Sequence, residues 1–146
     1  MRQKLGPEKK AALVAYLRNI SGGVISTVGT QGAPEAALIT FAVSPELEIV
    51  FETLVTSRKY ANLQDNPRAA FVAGGAGAKT IQIEGLIDEP AESDLDALKR
   101  LYYESCPQNL SHRDWPGMTY LRLRPRWIRF SDYGHPWHVE EYSLRE

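Results

Sequence analysis

Two hydroxyl side chains and two cations stand together where a predicted strand ends and a predicted helix begins. Thr56 and Ser57 are followed directly by Arg58 and Lys59. The first turn of a helix leaves backbone N–H groups free for an anion, arginine binds phosphate through two parallel hydrogen bonds, and lysine adds a compact charge. This order of residue types predicts a phosphate-binding site. The alternative interpretation is a serine-capped helix whose two cations face water, and the spacing alone fits both.

Other reactive residues form weaker patterns. His135 and His138, with the distant His112, have no cysteine beside them and lack the spacing of a zinc site. We therefore expect a structural or solvent-exposed role for them and no bound metal. Cys106 has no partner for an intramolecular disulfide and no basic neighbour in sequence that would lower the pKa of its thiol, so a nucleophile is not predicted. The glycines of residues 74–77 lack the spacing and the following helix of a dinucleotide-binding turn.

A phosphate site of this kind needs a strand that ends just before residue 57 and a helix that begins there. Apolar residues at helical spacing predict helices over residues 7–19, 57–66 and 92–104, the second capped by Ser57 or Thr56. β-branched or alternating residues predict strands over residues 24–28, 35–43, 47–53, 68–73, 79–88, 118–124 and 127–133.

Three details of these strands bear on the fold. Residues 47–53 alternate apolar and mostly polar side chains, which predicts one buried face and one mostly solvated face. Pro125 is expected to separate the last two strands. The tail from Gly134 onward shows no clear periodicity and is predicted to be irregular.

The short connections between strands favour antiparallel pairing. The order of elements therefore predicts a mostly β protein, an antiparallel barrel with peripheral helices. A length of 146 residues fits a single domain over residues 1–146.

The charge and the apolar content of the chain argue against several classes of partner. The chain has 17 basic and 18 acidic residues and a formal net charge of -1, so we expect no nucleic-acid partner. Its apolar stretches, such as residues 36–43, fall short of the roughly 20 residues that cross a bilayer, so we expect no membrane partner. Residues 1–4 lack the apolar core of a signal peptide, and we expect a cytoplasmic protein.

Two motifs resemble one known family. The first runs from Phe51-Glu52-Thr53 through Ser57-Arg58-Lys59 and Asn62-Leu63 to Asn66-Pro67-Arg68-Ala69-Ala70-Phe71-Val72, and the second is Ile81-Gln82-Ile83-Glu84-Gly85. Their order from about Val24 to Tyr133 is similar to that of the pyridoxamine 5′-phosphate oxidase-like family of split β-barrel flavoproteins. The resemblance implies a split barrel that binds FMN in a cleft between two subunits, and therefore a homodimer.

The same resemblance assigns the phosphate ligands. Arg58 and Lys59 match the family's pair that grips the FMN phosphate, with Ser57 and Thr53 in support. Glu52, next to Thr53 in the first motif, joins the implied cofactor-binding set.

The flavin ring has its own implied contacts. The family strand whose backbone runs along the isoalloxazine matches Ala37, Leu38, Ile39 and Thr40. The glutamine that contacts the flavin in the family falls at Thr80, with Gln82 at the neighbouring position on the same face. Trp137, in the predicted irregular tail, is the tryptophan we expect nearest the cleft.

The match departs from the true oxidases in two places. Their basic residues on the flavin strand are replaced by Ala37 and Ala42, and their Arg-Leu-containing substrate motif is replaced by residues 137–141. The resemblance thus implies the FMN cofactor and an oxidoreductase without the vitamin B6 substrate, and it indicates no catalytic side chain. Two alternatives stay open: a deazaflavin-dependent reductase using the same cleft, and a flavin or haem carrier or sensor without turnover.

Overall fold

The computed structural model of the chain describes residues 3–144 as an antiparallel sheet with three α-helices packed on it. The helices are α1 (Pro7–Arg18), α2 (Arg58–Asp65) and α3 (Glu92–Ser105). The strands are β1 (Gly23–Val28), β2 (Pro34–Ile39), β3 (Ala42–Val43), β4 (Ile49–Leu54), β5 (Arg68–Gly74), β6 (Lys79–Asp88), β7 (Met118–Asp132) and β8 (His138–Ser143). A 3-10 helix, Pro107–His112, follows α3.

The sheet runs in the order β2-β1-β5-β6-β7-β4-β3, and β8 adds to β7. Every pairing between these strands is antiparallel, as predicted. The inner face buries one apolar cluster that includes Ile25, Phe51, Phe71 and Ile83, and α1 packs Leu13 and Leu17 against it. The predicted mostly β architecture with peripheral helices is confirmed.

The three helices begin and end close to the predicted residues because their signals are local. Pro7 occupies the first turn of α1, where its missing N–H is not needed. Ser57 caps α2, and Asn66 before Pro67 ends it. In α3, Glu92 and Asp94 lie in the first turn, where the helix dipole favours acidic side chains.

The predicted strand over residues 35–43 is wrong, because the chain leaves the sheet at Thr40 and Phe41. Its first part, β2, pairs with β1, whereas its last part, β3, pairs with β4 at the opposite end of the sheet order. At the break, Thr40 Oγ1 lies 2.9 Å from the Tyr102 hydroxyl, and Phe41 packs in the core. Tertiary contacts at these two residues therefore override the local strand pattern.

The expected division at Pro125 is also wrong, since β7 continues through it. Residues 118–123 pair with β4 and residues 127–132 with β8, while β6 runs along both halves. The register jumps between Glu84 and Gly85, so β7 carries one extra residue there. Such a bulge is one of the places where a sheet accepts proline.

The tail that was predicted to be irregular contains β8. Tyr142 is buried, and its hydroxyl donates to Glu140 at 2.6 Å. Residues 138–143 pair with the second half of β7. Pro125 had suggested that β7 was two separate strands. A strand at an edge needs only one paired side, so its polar composition gives little sequence signal.

The predicted solvated face of the third strand, now β4, is covered. Val50 packs with Leu98 and Tyr102 of α3 in a second apolar cluster. The side chain of Glu52 on the same face is only 8% exposed. Because α3 covers this face, β4 is buried on both sides.

Each helix formed by residues 3–144 is too short or too polar to span a lipid bilayer.

A substitution at Gly85 tests the β-bulge between β6 and β7. A Cβ at this position would lie 2.0 Å from the Arg124 carbonyl oxygen, so Gly85→Ala must push β6 and β7 apart. We expect it to lower the free energy of unfolding by about 1–3 kcal/mol or more in chemical denaturation. Gly22→Ala is the matched control, because its Cβ would meet ordinary contacts at 3.6 Å. Equal stabilities of the two variants would contradict the bulge.

Candidate functional site

The start of α2 is fixed by two hydroxyl groups. Ser57 Oγ accepts a hydrogen bond from the Tyr60 amide at 3.2 Å and lies 2.8 Å from Thr53 Oγ1 at the end of β4. The cap satisfies one backbone donor of the first turn, while the amides of Arg58 and Lys59 have no acceptor within the helix. The helix therefore starts beside the end of the strand, as predicted, with backbone donors and cations side by side.

Arg58 and Lys59 border a small cavity of about 80 Å³ between β2 and α2. Ala37 lines the opposite wall, and Glu35 completes it. We call this space, lined by Glu35, Ala37, Arg58 and Lys59, the α2 corner. Arg58 is 69% exposed, whereas Lys59 is half-buried, and this burial lowers the pKa of its ammonium.

Glu35 is the residue of the α2 corner that the sequence interpretation missed. Its Oε1 lies 3.0 Å from Arg58 Nε and accepts a hydrogen bond from Asn62 Nδ2 at 2.7 Å. Asn62 Nδ2 also lies 3.0 Å from Thr27 Oγ1 on β1. Alternation along β2 was the available signal, because it places Glu35 on the same face as Ala37.

The residues predicted to lie along the flavin ring, 37–40, are distributed over both faces of β2 and the break that follows it. Ala37 and Ile39 point inward, with Ala37 in the α2 corner, while Leu38 points outward and is 78% exposed. Thr40 lies just beyond β2, where Asn109 Nδ2 donates to its hydroxyl at 2.8 Å. The 3-10 helix after α3 thus stands at the far end of this strand from the α2 corner.

Thr80 and Gln82 lie on the opposite face of the sheet from the α2 corner. Gln82 pairs with Val72, Val72 with Val24, and Val24 with Leu38, so these four residues form one row across four strands. We call this the outer face. Three strand spacings separate Leu38 from Gln82, about 14 Å. Within one copy of the chain, the structure does not bring Thr80 or Gln82 to the α2 corner.

Glu52 points away from the α2 corner, because side chains alternate along β4. Its carboxylate accepts hydrogen bonds from the Tyr103 hydroxyl at 2.9 Å and from His112 Nδ1 at 2.8 Å. Because the Tyr103 hydroxyl donates its proton to Glu52, it accepts a hydrogen bond from the Tyr120 hydroxyl. We call these four residues the Glu52 cluster. A cofactor role for Glu52 stays a prediction, and its contacts assign the side chain to the packing of α3.

The tyrosines under α3 are held protonated. Burial raises the pKa of Tyr102 to about 12, and burial together with the hydrogen bond that it donates to Glu52 raises the pKa of Tyr103. Burial also raises the pKa of the Cys106 thiol, which donates to the Phe41 carbonyl at 3.4 Å. These groups therefore favour their neutral forms, and Cys106 has the environment of a packing residue.

Trp137 lies in the connection between β7 and β8 and is 72% exposed, with its ring edge-on to Tyr133. Trp137 is not among the described residues that line the cavity of the α2 corner. His138 is hydrogen-bonded to Glu140 and His112 to Glu52. Across the described part of the chain, no three histidine, cysteine or acidic side chains group as metal ligands.

Comparison with known proteins identifies the family. A family model described as pyridoxamine 5′-phosphate oxidase matches residues 10–132. This chain belongs to the pyridoxamine 5′-phosphate oxidase family. One curated member, a pyridoxine/pyridoxamine 5′-phosphate oxidase from Trichormus variabilis, is 31% identical over 105 residues, which cover 71% of this chain and 47% of that protein. The chain spans about half the length of the curated family members it matches.

Solved structures confirm the split-barrel fold of the family. A heme binding protein from Mycobacterium smegmatis matches with a TM-score of 0.80 at 18% identity, covering 97% of this chain and 59% of that chain. An FMN binding protein related to pyridoxamine 5′-phosphate oxidase, from Nostoc punctiforme, matches with a TM-score of 0.66 at 16% identity, covering 97% of this chain and 98% of that chain. At these identities the likeness establishes the fold.

The raised pKa of Tyr102 predicts that the free energy of unfolding depends on pH in a measurable way. Its folded-state pKa is raised from 10 to about 12, so its contribution to stability is complete below pH 10 and is lost as the pH rises toward 12. One such proton changes the free energy of unfolding by up to about 1.4 kcal/mol per pH unit. We expect Tyr102→Phe to lose less stability than the wild type between pH 10 and 12 in urea denaturation. Parallel curves in that window would contradict the raised pKa.

Proposed function

We propose that the chain binds FMN with its phosphate in the α2 corner and works as a flavin-dependent oxidoreductase. The observation that carries the proposal is the pairing of Arg58 and half-buried Lys59 at the capped start of α2, across a cavity from Ala37. A guanidinium, an ammonium and unpaired helix N–H groups are the donors that a phosphate prefers. The donor set therefore fits the group, and family membership supports the same cofactor.

Each donor has a distinct role in this proposal. The amides of the first turn of α2 and Lys59 Nζ face the phosphate oxygens, and the partial burial of Lys59 strengthens its attraction to an anion. The guanidinium of Arg58 lies at the exposed rim, where it binds from the solvent side. Ser57 and Thr53 fix the helix start and so position both cations.

The ring system is proposed to lie along β2. This strand pairs only with β1 within residues 3–144, so its other edge offers unpaired backbone N–H and C=O groups to a ligand. When bound, FMN supplies the hydride or electron transfer, and the protein supplies placement and electrostatics. Because Ala37 and Ala42 replace basic residues of the oxidases, we do not extend the vitamin B6 substrate to this chain.

We propose a homodimer that forms through the outer face. Leu38 is 78% exposed and Val72 41% exposed on this face. A second copy would cover the apolar row and bring its own outer-face residues, Thr80 and Gln82 included, toward the flavin.

A deazaflavin in the same groove is the second candidate, favoured by the small side chain of Ala37 on the strand that would contact the ring. A carrier of flavin or haem without turnover is the third. The absorbance spectrum of the protein as isolated separates flavin, deazaflavin and haem. Reduction of a bound flavin by NADH or NADPH then separates a reductase from a carrier.

The double variant Arg58→Ala/Lys59→Ala tests the phosphate site. We expect FMN to bind at least about tenfold more weakly, because each charge-assisted hydrogen bond contributes roughly 1.5–3 kcal/mol. Flavin-fluorescence titration measures the affinity. The control Lys4→Ala/Arg100→Ala removes the same formal charge elsewhere on the surface and should bind as the wild type does. Equal affinity of the two double variants would refute the site.

Leu38→Arg tests the dimer. In a twofold interface each copy contributes the substitution, so two charges are buried in an apolar contact. We expect a dissociation constant for the dimer at least about tenfold higher, seen as monomer in light scattering at micromolar concentration and saturating FMN. Leu110→Arg, at an exposed leucine outside this face, is the control. A wild-type protein that is monomeric under these conditions would overturn the proposal.

A further inference from the structure

The α2 corner contains a carboxylate as well as its two cations. Glu35 Oε1 lies 3.0 Å from Arg58 Nε and 2.7 Å from Asn62 Nδ2. An anion is therefore already bound to donors at the place where the proposed function puts a phosphate. Alternation along β2 places Glu35 on the face of Ala37, and the contact with Asn62, 27 residues away in sequence, brings its carboxylate into the corner.

The position of Glu35 is built into the fold. Its side chain is only 20% exposed. A Cβ at Gly29 would lie 2.6 Å from the Glu35 carboxyl carbon, so the carboxylate packs directly over a residue that has no side chain. Asn62, which holds the carboxylate, is itself buried and anchored near Thr27. These contacts distinguish Glu35 from a mobile surface acid.

The charge balance of the corner follows from the elements that face it. α2 contributes Arg58 and Lys59, β2 contributes Glu35, and β1 contributes the neutral Thr27. The formal charge is +1, where the two cations alone would give +2. A phosphate monoester carries about two negative charges at neutral pH and a phosphodiester carries one. The corner thus matches the charge of the diester more closely.

We propose that Glu35 is a specificity-determining residue that weakens the binding of a doubly charged phosphate and favours a singly charged phosphoryl group. It acts in two ways, by occupying Arg58 and Asn62 and by repelling the second negative charge of the ligand. The inference rests on the proposed function, because it assumes that the phosphoryl group of the cofactor enters the α2 corner.

Glu35→Gln keeps the size of the side chain and removes its charge. The probes are FMN, its 5′-phosphate methyl ester, which carries one negative charge, and riboflavin, which carries none, all titrated by flavin fluorescence at pH 8. We expect Glu35→Gln to bind FMN about tenfold more tightly than the wild type, since a unit charge roughly 6 Å from a doubly charged group changes affinity by about that factor at the dielectric constant of water. The ester should gain about threefold, because it carries half the charge. Riboflavin should bind both proteins equally.

The control Glu46→Gln neutralises a carboxylate that pairs with Lys10 outside the corner and should leave all three affinities unchanged. If Glu35→Gln does not fold, Glu35→Ala removes the same charge and is expected to give the same order of gains. Unchanged or weaker FMN binding in a folded variant, with the wild type binding FMN, would overturn the role of Glu35 alone. Failure of both proteins to bind FMN would overturn the proposed function together with it.

Discussion

The amide of Asn62 and the hydroxyl of Ser57 attach α2 to two distant parts of the sheet. Asn62 reaches Thr27 on β1 and Glu35 on β2, while Ser57 reaches Thr53 on β4. In the order of the strands, β1 and β4 are separated by β5, β6 and β7. Because α2 contacts both, it bridges the opening of the curved sheet, and its first turn is held where the two ends approach each other.

This bridge explains why donors for an anion gather at one place. A helix start leaves N–H groups unpaired, and here that start is fixed against the edge strand β2, whose outer backbone groups have no neighbour among the described strands. Arg58 and Lys59 follow the cap directly, so the fold places two cations beside an open strand edge. The outer face, by contrast, is turned away from α2. In the proposed dimer, a ligand along β2 would have one wall from this chain, and the exposed row around Leu38 of a second copy would supply the other.

The sequence predicted the parts of this arrangement that depend on neighbours in the chain. The three helices, the cap at Ser57 and the strands β5 and β6 follow from capping residues, proline positions and alternation within a few residues. The break at Thr40, the passage of β7 through Pro125 and the strand β8 depend on partners far away in sequence, such as Tyr102, Gly85 and the second half of β7. No local pattern contains that information.

The same distinction applies to the candidate site. Ser57, Arg58 and Lys59 are adjacent in sequence, so their residue types and order suggested an anion site, although the spacing alone fitted a capped helix with solvent-facing cations equally well. Glu35 enters the site through Asn62, 27 residues away, and the contact becomes visible only when β2 and α2 are placed side by side. Glu52 shows the converse, because its place in a family motif suggested the cofactor while its side chain packs with Tyr103 and His112 under α3.

The most direct measurement is a crystal structure of the protein grown with excess FMN. The phosphate is expected between β2 and the first turn of α2, with its oxygens within hydrogen-bonding distance of Lys59 Nζ and the first-turn amides. A flavin whose phosphate lies elsewhere, or an α2 corner filled only by water and the Glu35 carboxylate at saturating FMN, would contradict the central claim.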